Sequence, residues 1–287
     1  MMLIRANDET GGSLTVVGTG IQAAGQITVE ARTCLQQSAK VFYLVADPTT
    51  AYYICKLNQN AESLHTFYET GKERFVSYME MVEHILSAVE SGISVCAAFY
   101  GHPGVFAYPS HEAIRRAREK GFPARMLPGV SAEDCLFADL GLDPAAAGCQ
   151  SFEATDFLIF RRQFDTNSSL ILWQIGVIGD VSFQENGYSL AGVGILSDYL
   201  GSFYGTTHSV IVYEASHYPM YDSKREKVTI ADLKTAHISP MSTLYVPPKS
   251  SPTVDLDMAR RLGMEAGGIR TITMRVASVP HTARTSQ

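Results

Sequence analysis

The feature that most constrains the fold is an alternation of short apolar runs, rich in β-branched residues, with longer segments of helical periodicity. This alternation predicts an α/β fold whose sheet is largely parallel in the first half of the chain. The predicted strands are residues 13–18, 40–46, 94–100, 124–127, 169–176, 208–215 and 242–248. The predicted helices are residues 26–37, 73–91, 109–120, 131–140 and 189–203. A polar, turn-rich stretch at residues 160–168 predicts a domain boundary.

Composition and charge disfavour several classes of protein. A chain of 287 residues is long enough for two modest domains or one large α/β unit. The net charge of −6 provides no basic surface for a nucleic acid. The five cysteines are widely spaced without a CxxC pair, so we expect reduced thiols. No signal peptide, membrane span or metal-ligand spacing is recognisable, which favours a cytoplasmic protein without a metal.

The predicted helix at residues 73–91 carries an arginine and a tyrosine four residues apart. Arg74 lies in its first turn, and Tyr78 belongs to an apolar series at three- and four-residue spacing, so both share one face. Thr70 and Glu73 have the spacing of a capping box, which predicts a helix start near Gly71. Spacing alone favours a structural ion pair beside a core tyrosine.

Glycines follow the first predicted strand in VVGTGIQAAG, where Gly18, Gly20 and Ala23 match the GxGxxA pattern of dinucleotide-binding folds. Asp47, at the end of the second strand, occupies the position of a ribose-binding carboxylate. An NAD-dependent oxidoreductase is therefore one hypothesis. Short glycine turns between a strand and a helix are common, however, and this pattern does not account for the loops that follow later strands.

Two of those loops are corners rich in glycine and proline. FYGHPGVFAYPS (residues 99–110) follows an apolar strand, and PGVSAEDC (residues 128–135) places Ser131 at a helix start. Such corners usually let something other than the protein approach the backbone. Because parallel strands end at one edge of a sheet, the two loops are predicted to converge on one crevice.

These motifs carry a family resemblance. VGTGI, YGHPGVF and LPGVSAEDCLFADLGLDP resemble the tetrapyrrole methylase-like, class III methyltransferases that use S-adenosylmethionine. AKVFYLVADP, YGHPGVFAYPSH and FEATDFLI are more similar still to the borosin peptide backbone N-methyltransferases, over roughly residues 12–250. The resemblance implies a two-domain α/β fold with a mainly parallel N-terminal sheet, a mixed C-terminal sheet and the cofactor between the domains. It implies an interlocked homodimer that methylates an apolar core peptide, in the family on its own tail.

The resemblance also implies site residues. The catalytic group is Tyr68, Arg74 and Tyr78, which replaces the structural interpretation of that helix. The residues implied to contact S-adenosylmethionine, whose product is S-adenosylhomocysteine, are Tyr100, His102, Val105, Phe106, Ser131, Ala132, Gln174, Tyr213, Ser242 and Thr243.

The predicted organisation is an arm at residues 1–12, methylase subdomains at residues 13–162 and 163–250, and a tail at residues 251–287. The tail is shorter than the helical extension and core peptide of the family, so we expect a separate substrate chain, a truncated form or an inactive enzyme. Two alternatives therefore stay open. One is a methyltransferase of the same fold acting on a tetrapyrrole or another small molecule, and the other is a catalytically silent partner that binds S-adenosylmethionine.

Overall fold

The computed structural model describes residues 11–251, 253–265 and 268–269. It divides into two units. The first comprises the described residues up to Cys135, together with Val181–Glu185, here called the strap, and Ser216–Asp222. The second comprises the intervening segments and the described residues from Ser223 onward. Residues 1–10 of the predicted arm at residues 1–12, and most of the predicted tail, lie outside the described residues.

The first unit is built on a five-stranded sheet in the order β3-β2-β4-β1-β5. Every neighbouring pair of these strands is parallel. The strands are β1 (Ser13–Gly18), β2 (Lys40–Leu44), β3 (Ala61–Ser63), β4 (Ser94–Phe99) and β5 (Ala124–Met126). The helices are α1 (Val29–Gln37), α2 (Pro48–Leu57), α3 (Arg74–Glu90), α4 (Tyr108–Glu119) and α5 (Ala132–Leu140), the last of which ends in the second unit.

Helices cover both faces of this sheet. One face packs against α3 and α4 around residues such as Phe42 and Ile85, and the other packs against α1 and α2 around Leu35 and Ile54. The central strand β4 is buried on both faces after its first residue, which explains its continuous apolar sequence SVCAAF. The predicted parallel α/β arrangement of this half is confirmed.

Helix α3 begins differently from the prediction. Its first residue is Arg74, and the side chain of its N-cap residue, Glu73, makes no capping hydrogen bond, so the predicted capping box and the start near Gly71 are wrong. The strap pairs with this segment instead. The N–H of Gly71 donates to the carbonyl of Phe183 at 2.8 Å, and the N–H of Arg74 donates to the carbonyl of Val181 at 2.9 Å. A distant segment therefore supplies an acceptor for the first N–H group of the helix, that of Arg74.

The second unit contains a mixed sheet in the order β6-β7-β10-β8-β9. β6 and β7 are parallel, and the other pairs are antiparallel. The strands are β6 (Cys149–Glu153), β7 (Ser169–Trp173), β8 (Ser209–Glu214), β9 (Lys224–Thr229) and β10 (Thr243–Val246). The helices are α6 (Pro144–Ala147), α7 (Ala154–Ile159), α8 (Ala191–Tyr204) and α9 (Leu256–Arg261). The mixed C-terminal sheet was also predicted correctly.

Strand β6 does not follow the sequence-based domain ranges. Residues 149–153 fall within the predicted N-terminal subdomain, residues 13–162, yet β6 pairs with β7 in the second sheet. The physical reason is that β6 provides β7 with a parallel neighbour along its whole length, from the pair Cys149 and Ser169 to the pair Glu153 and Trp173. The polar stretch at residues 160–168 is thus a connection within the second unit.

Candidate active site

The loops that leave β1, β4 and β5 meet at one edge of the first sheet. Gly20 and Gly101 exchange backbone hydrogen bonds of 3.3 and 3.0 Å. A Cβ added to Gly18 would lie 2.3 Å from the carbonyl oxygen of Gly101, and one added to Gly129 would lie 3.1 Å from the same atom. The predicted convergence of the two corners is therefore confirmed.

The reason for the glycines differs from the expectation. The corners were predicted to leave backbone open to a ligand, but the space beside Gly18 and Gly129 is filled by the chain's own backbone at Gly101. Gly101 also has φ +69°, which favours glycine in any case. These residues are glycine because three loops cross closely.

The corner after β4 orders His102. The backbone N–H of Gly104 donates to His102 Nδ1 at 2.9 Å, so Nδ1 is the acceptor and, in the neutral ring, Nε2 carries the proton. The next residues, Val105 and Phe106, have 38% and 52% of their surface exposed, and Phe106 adopts a left-handed backbone with φ +51°. A strained backbone that presents an exposed aromatic ring is typical of a ligand-binding position.

Tyr100 and Ser131 are already engaged within the first unit. The Tyr100 hydroxyl lies 3.3 Å from His217 Nε2, and burial, followed by the nearby Cys135 and Asp47, raises the Tyr100 pKa. Ser131 donates its N–H and its hydroxyl to Asp134 Oδ2 at 2.7 and 2.9 Å. Ser131 is thus the predicted helix-start residue, immediately before Ala132, but its donors are used by the helix itself.

Asp47 also has a local role. Its carboxylate accepts a 2.8 Å hydrogen bond from the N–H of Thr50 and caps α2, and its side chain is buried. After β1 the chain turns through Gly20 and reaches helix only at Val29, so the GxGxxA pattern does not open a helix. The geometry therefore argues against the dinucleotide hypothesis.

The residues of the second unit that were predicted to contact S-adenosylmethionine lie together at one end of its sheet. Thr243 pairs with Tyr213, and the carbonyl of Ser242 accepts the N–H of Ile175, which follows Gln174. Gln174 has a left-handed backbone with φ +59°. Each unit thus brings its own share of the predicted residues to one edge, although their role in binding a cofactor stays a prediction.

A partly buried carboxylate organises that end of the second sheet. Glu214 Oε1 accepts hydrogen bonds from Ser242 Oγ at 2.5 Å, from Ser239 Oγ at 2.9 Å and from Lys224 Nζ at 3.0 Å. Nearby, the Tyr213 hydroxyl donates to Asp139 Oδ2 at 2.7 Å. Ser242 and Tyr213 are therefore held by anions of the second unit.

The three predicted catalytic residues are neighbours in the first unit. The rings of Tyr68 and Tyr78 meet edge to face, with centroids 6.4 Å apart, and Arg74 lies one turn before Tyr78 on α3. Phe183 of the strap stacks on Tyr68 at 4.8 Å, and Tyr108 stacks on Tyr78 at 6.5 Å. Neither Phe183 nor Tyr108 was predicted to belong to the site.

Two exposed aromatic side chains lie beside this group. Phe75 belongs to the same apolar series as Tyr78, but it is 55% exposed and packs against Tyr108, which is 42% exposed, at 5.3 Å. Tyr78 is partly buried against the core, whereas Ser77 is fully buried. The buried stripe of α3 is therefore rotated relative to the predicted one, and its first turn presents an aromatic side chain to solvent.

Comparison with known proteins is consistent with this architecture. The sequence profile of the tetrapyrrole (corrin/porphyrin) methylases matches residues 13–233. This chain belongs to that family. The structure is similar to that of uroporphyrin-III-C-methyltransferase from Thermus thermophilus, with a TM-score of 0.59 and 16% identity, covering 90% of this chain and 99% of that one. It is also similar to cobalt precorrin-4 methyltransferase, with a TM-score of 0.58 and 16% identity over 84% and 96% of the chains. At such identities these likenesses concern the fold.

Curated relatives are much closer in sequence. The methyltransferase and omphalotin A precursor of Omphalotus olearius is 44% identical over 90% of this chain and 63% of its own length. The dendrothelin A precursor of Dendrothele bispora is 45% identical over 88% and 61%. The type III borosin precursor of Anomoporia bombycina is 40% identical over 94% and 32%. The predicted resemblance to borosin precursors is confirmed, and this chain spans less than two thirds of their length.

Two classes of feature are absent from the described residues. No helix there is long and apolar enough to cross a bilayer. In the same part of the chain, no group of three or more histidines, cysteines and carboxylates is placed to hold a metal ion.

Proposed function

We propose that this protein transfers the methyl group of S-adenosylmethionine to backbone amide nitrogens of an apolar peptide. The observation that carries the proposal is the contact of Tyr68 with Tyr78 on the helix that begins at Arg74. The names of the curated relatives support it, since each is a methyltransferase fused to a ribosomal peptide precursor. The exposed aromatic first turn of α3 fits an apolar peptide better than a charged one.

The chemistry explains why these three side chains suit the reaction. A peptide nitrogen is a poor nucleophile because its lone pair is delocalised into the carbonyl. Hydrogen-bond donors at the carbonyl oxygen favour the imidate form, in which the electron density returns to nitrogen. In the proposal, the Arg74 guanidinium and the Tyr78 hydroxyl donate to that oxygen, and Tyr68, acting as a phenolate, accepts the amide proton and becomes a neutral phenol. The nitrogen gains a methyl group, and S-adenosylhomocysteine is released.

S-adenosylmethionine supplies an electrophilic methyl group on a positively charged sulfur. The residues proposed to hold it in the first unit are Tyr100, His102, Val105, Phe106, Ser131 and Ala132. Those proposed in the second unit are Gln174, Tyr213, Ser242 and Thr243. The left-handed backbones of Phe106 and Gln174, and the exposed ring of Phe106 for a cationic sulfur, fit such a ligand.

The test combines calorimetry with mass spectrometry. Arg74→Ala and Tyr78→Phe should bind S-adenosylmethionine like the wild type but methylate a leader-fused Val/Ile/Gly peptide about a hundredfold more slowly, the scale of losing one oxyanion donor. The matched controls are Arg115→Ala and Tyr52→Phe, because those side chains are 54% and 64% exposed outside the aromatic group. Equal turnover by the Arg74 and Tyr78 variants would refute the mechanism.

The same experiment separates the alternatives. Binding without any gain in mass indicates a silent partner, and methylation of a tetrapyrrole but not the peptide indicates a small-molecule enzyme. Mass increments on this chain indicate self-modification, whereas increments on a second peptide indicate action in trans. Light scattering of the purified protein tests the homodimer that the family resemblance implies.

A further inference from the structure

The strap makes an antiparallel pairing with the residues that precede α3. Besides accepting from Gly71 and Arg74, it donates the N–H of Phe183 to the carbonyl of Lys72 at 2.9 Å, and Glu73 and Ser182 form a bridge. The N–H groups in the first turn of a helix have no acceptor within the helix. The strap therefore fixes the point at which α3 begins, and with it the position of the Arg74 backbone.

The strap also controls the orientation of the Tyr68 ring. Phe183 lies on that ring with an interplanar angle of 21°, while Tyr78 approaches it at 78°. His65 contacts the same ring at 5.4 Å between centroids. A ring that is covered on one face and bounded by two edges cannot change rotamer without displacing a neighbour. Its hydroxyl is consequently held in one direction.

Burial alone does not account for Phe183. The core phenylalanine Phe157 is fully buried, whereas Phe183 is only partly buried and lies in a segment without a helix or a strand of its own. Its ring stacks on the ring of Tyr68. We propose that Phe183 is a positioning residue, which together with the strap holds Tyr68 and Arg74 in the geometry that methyl transfer needs. This inference rests on the proposed function and deepens it.

A substitution series tests the kinetic consequence. Phe183→Ala should lower kcat by about tenfold to a hundredfold, as misplacement of reacting groups does, while the calorimetric Kd for S-adenosylmethionine stays unchanged. Phe183→Tyr, which keeps a flat ring, should restore kcat, and Phe183→Leu should not. The matched control is Phe160→Ala, because Phe160 is 66% exposed in the second unit. Wild-type kcat in Phe183→Ala would overturn the proposal.

A second readout does not require turnover. Tetranitromethane modifies accessible tyrosines, and peptide mapping by mass spectrometry gives the rate at each site. Tyr68 should be nitrated several-fold faster in Phe183→Ala than in the wild type or Phe160→Ala. An unchanged rate would overturn the positioning role even if activity fell. A wild-type chain that transfers no methyl group would refute the proposed function, and the nitration rate would then decide on the packing of Tyr68.

Discussion

Replacing Glu214 should destabilise the second unit strongly. Glu214→Ala removes the acceptor of three hydrogen bonds. One of their donors, Ser242, is fully buried. A hydrogen bond to a charged group contributes about 1.5–3 kcal/mol, and the partly exposed bonds from Ser239 and Lys224 contribute about 0.5–1 kcal/mol each. We therefore expect the free energy of unfolding to fall by about 2.5–5 kcal/mol.

The charge of Glu214 adds a pH dependence. Burial raises the pKa of Glu214, but the hydrogen bonds from Ser242, Lys224 and Ser239, with the charge of Lys224, lower it by more, so the net pKa lies below the ordinary value. A group whose pKa is depressed on folding stabilises the protein above its unfolded pKa, about 4.3, and this stabilisation is lost as the pH falls through the folded pKa. The stability difference between wild type and Glu214→Gln should thus narrow in acid.

Urea unfolding followed by tryptophan fluorescence measures both effects. The only tryptophan, Trp173, is buried in β7 of the same unit. The matched control is Asp198→Asn, which removes a carboxylate that is 76% exposed and should change stability by less than about 1 kcal/mol. A loss below about 1 kcal/mol for Glu214→Ala, or the same Glu214→Gln difference at pH 7 and pH 3, would refute the reasoning.

Two further substitutions test the first unit. Gly18→Ala should destabilise it by about 3 kcal/mol, because the new Cβ would lie 2.3 Å from a backbone oxygen. The control Gly25→Ala should be tolerated, because no atom lies nearer than 3.7 Å to its new Cβ. Similar melting temperatures for the two variants would contradict this prediction. Asp47→Ala removes the cap of α2 and should lower the free energy of unfolding, measured in urea, by about 1 kcal/mol. Titration with NADH should show no binding to the wild type or to this variant.

Much of the fold could be predicted from apolar patterns, and the strands that were missed have a common cause. β3, β6 and β9, which the sequence did not reveal, are all edge strands. Edge strands have one unpaired side and tolerate polar residues, so KREKVT of β9 carries no apolar run. Helix α2 was also missed, although Asp47 and Pro48 are a cap and a first-turn proline, because Asp47 was assigned to a ribose.

Some residues of the candidate site could be predicted from local spacing, whereas others depend on contacts between distant parts of the chain. Helical spacing places Arg74 and Tyr78 on one face, and the family resemblance adds Tyr68. Phe183 could not be predicted, because its partner lies more than a hundred residues earlier and neither segment has a periodic pattern. The exposure of Phe75 was missed because helical periodicity predicts the position of an apolar stripe but does not show which end of that stripe the core covers.

The way in which the chain alternates between the units limits how it can be divided. It passes from one unit to the other five times, at residues 135, 180, 185, 215 and 222. A fragment that stops at Cys135 would include the whole parallel sheet and Tyr68, Arg74 and Tyr78, yet it would lack the strap. Expression of the first half alone, or a gene fusion made at that point, should therefore yield a sheet in which Tyr68 lacks the stacking contact of Phe183 and the Arg74 N–H lacks its acceptor.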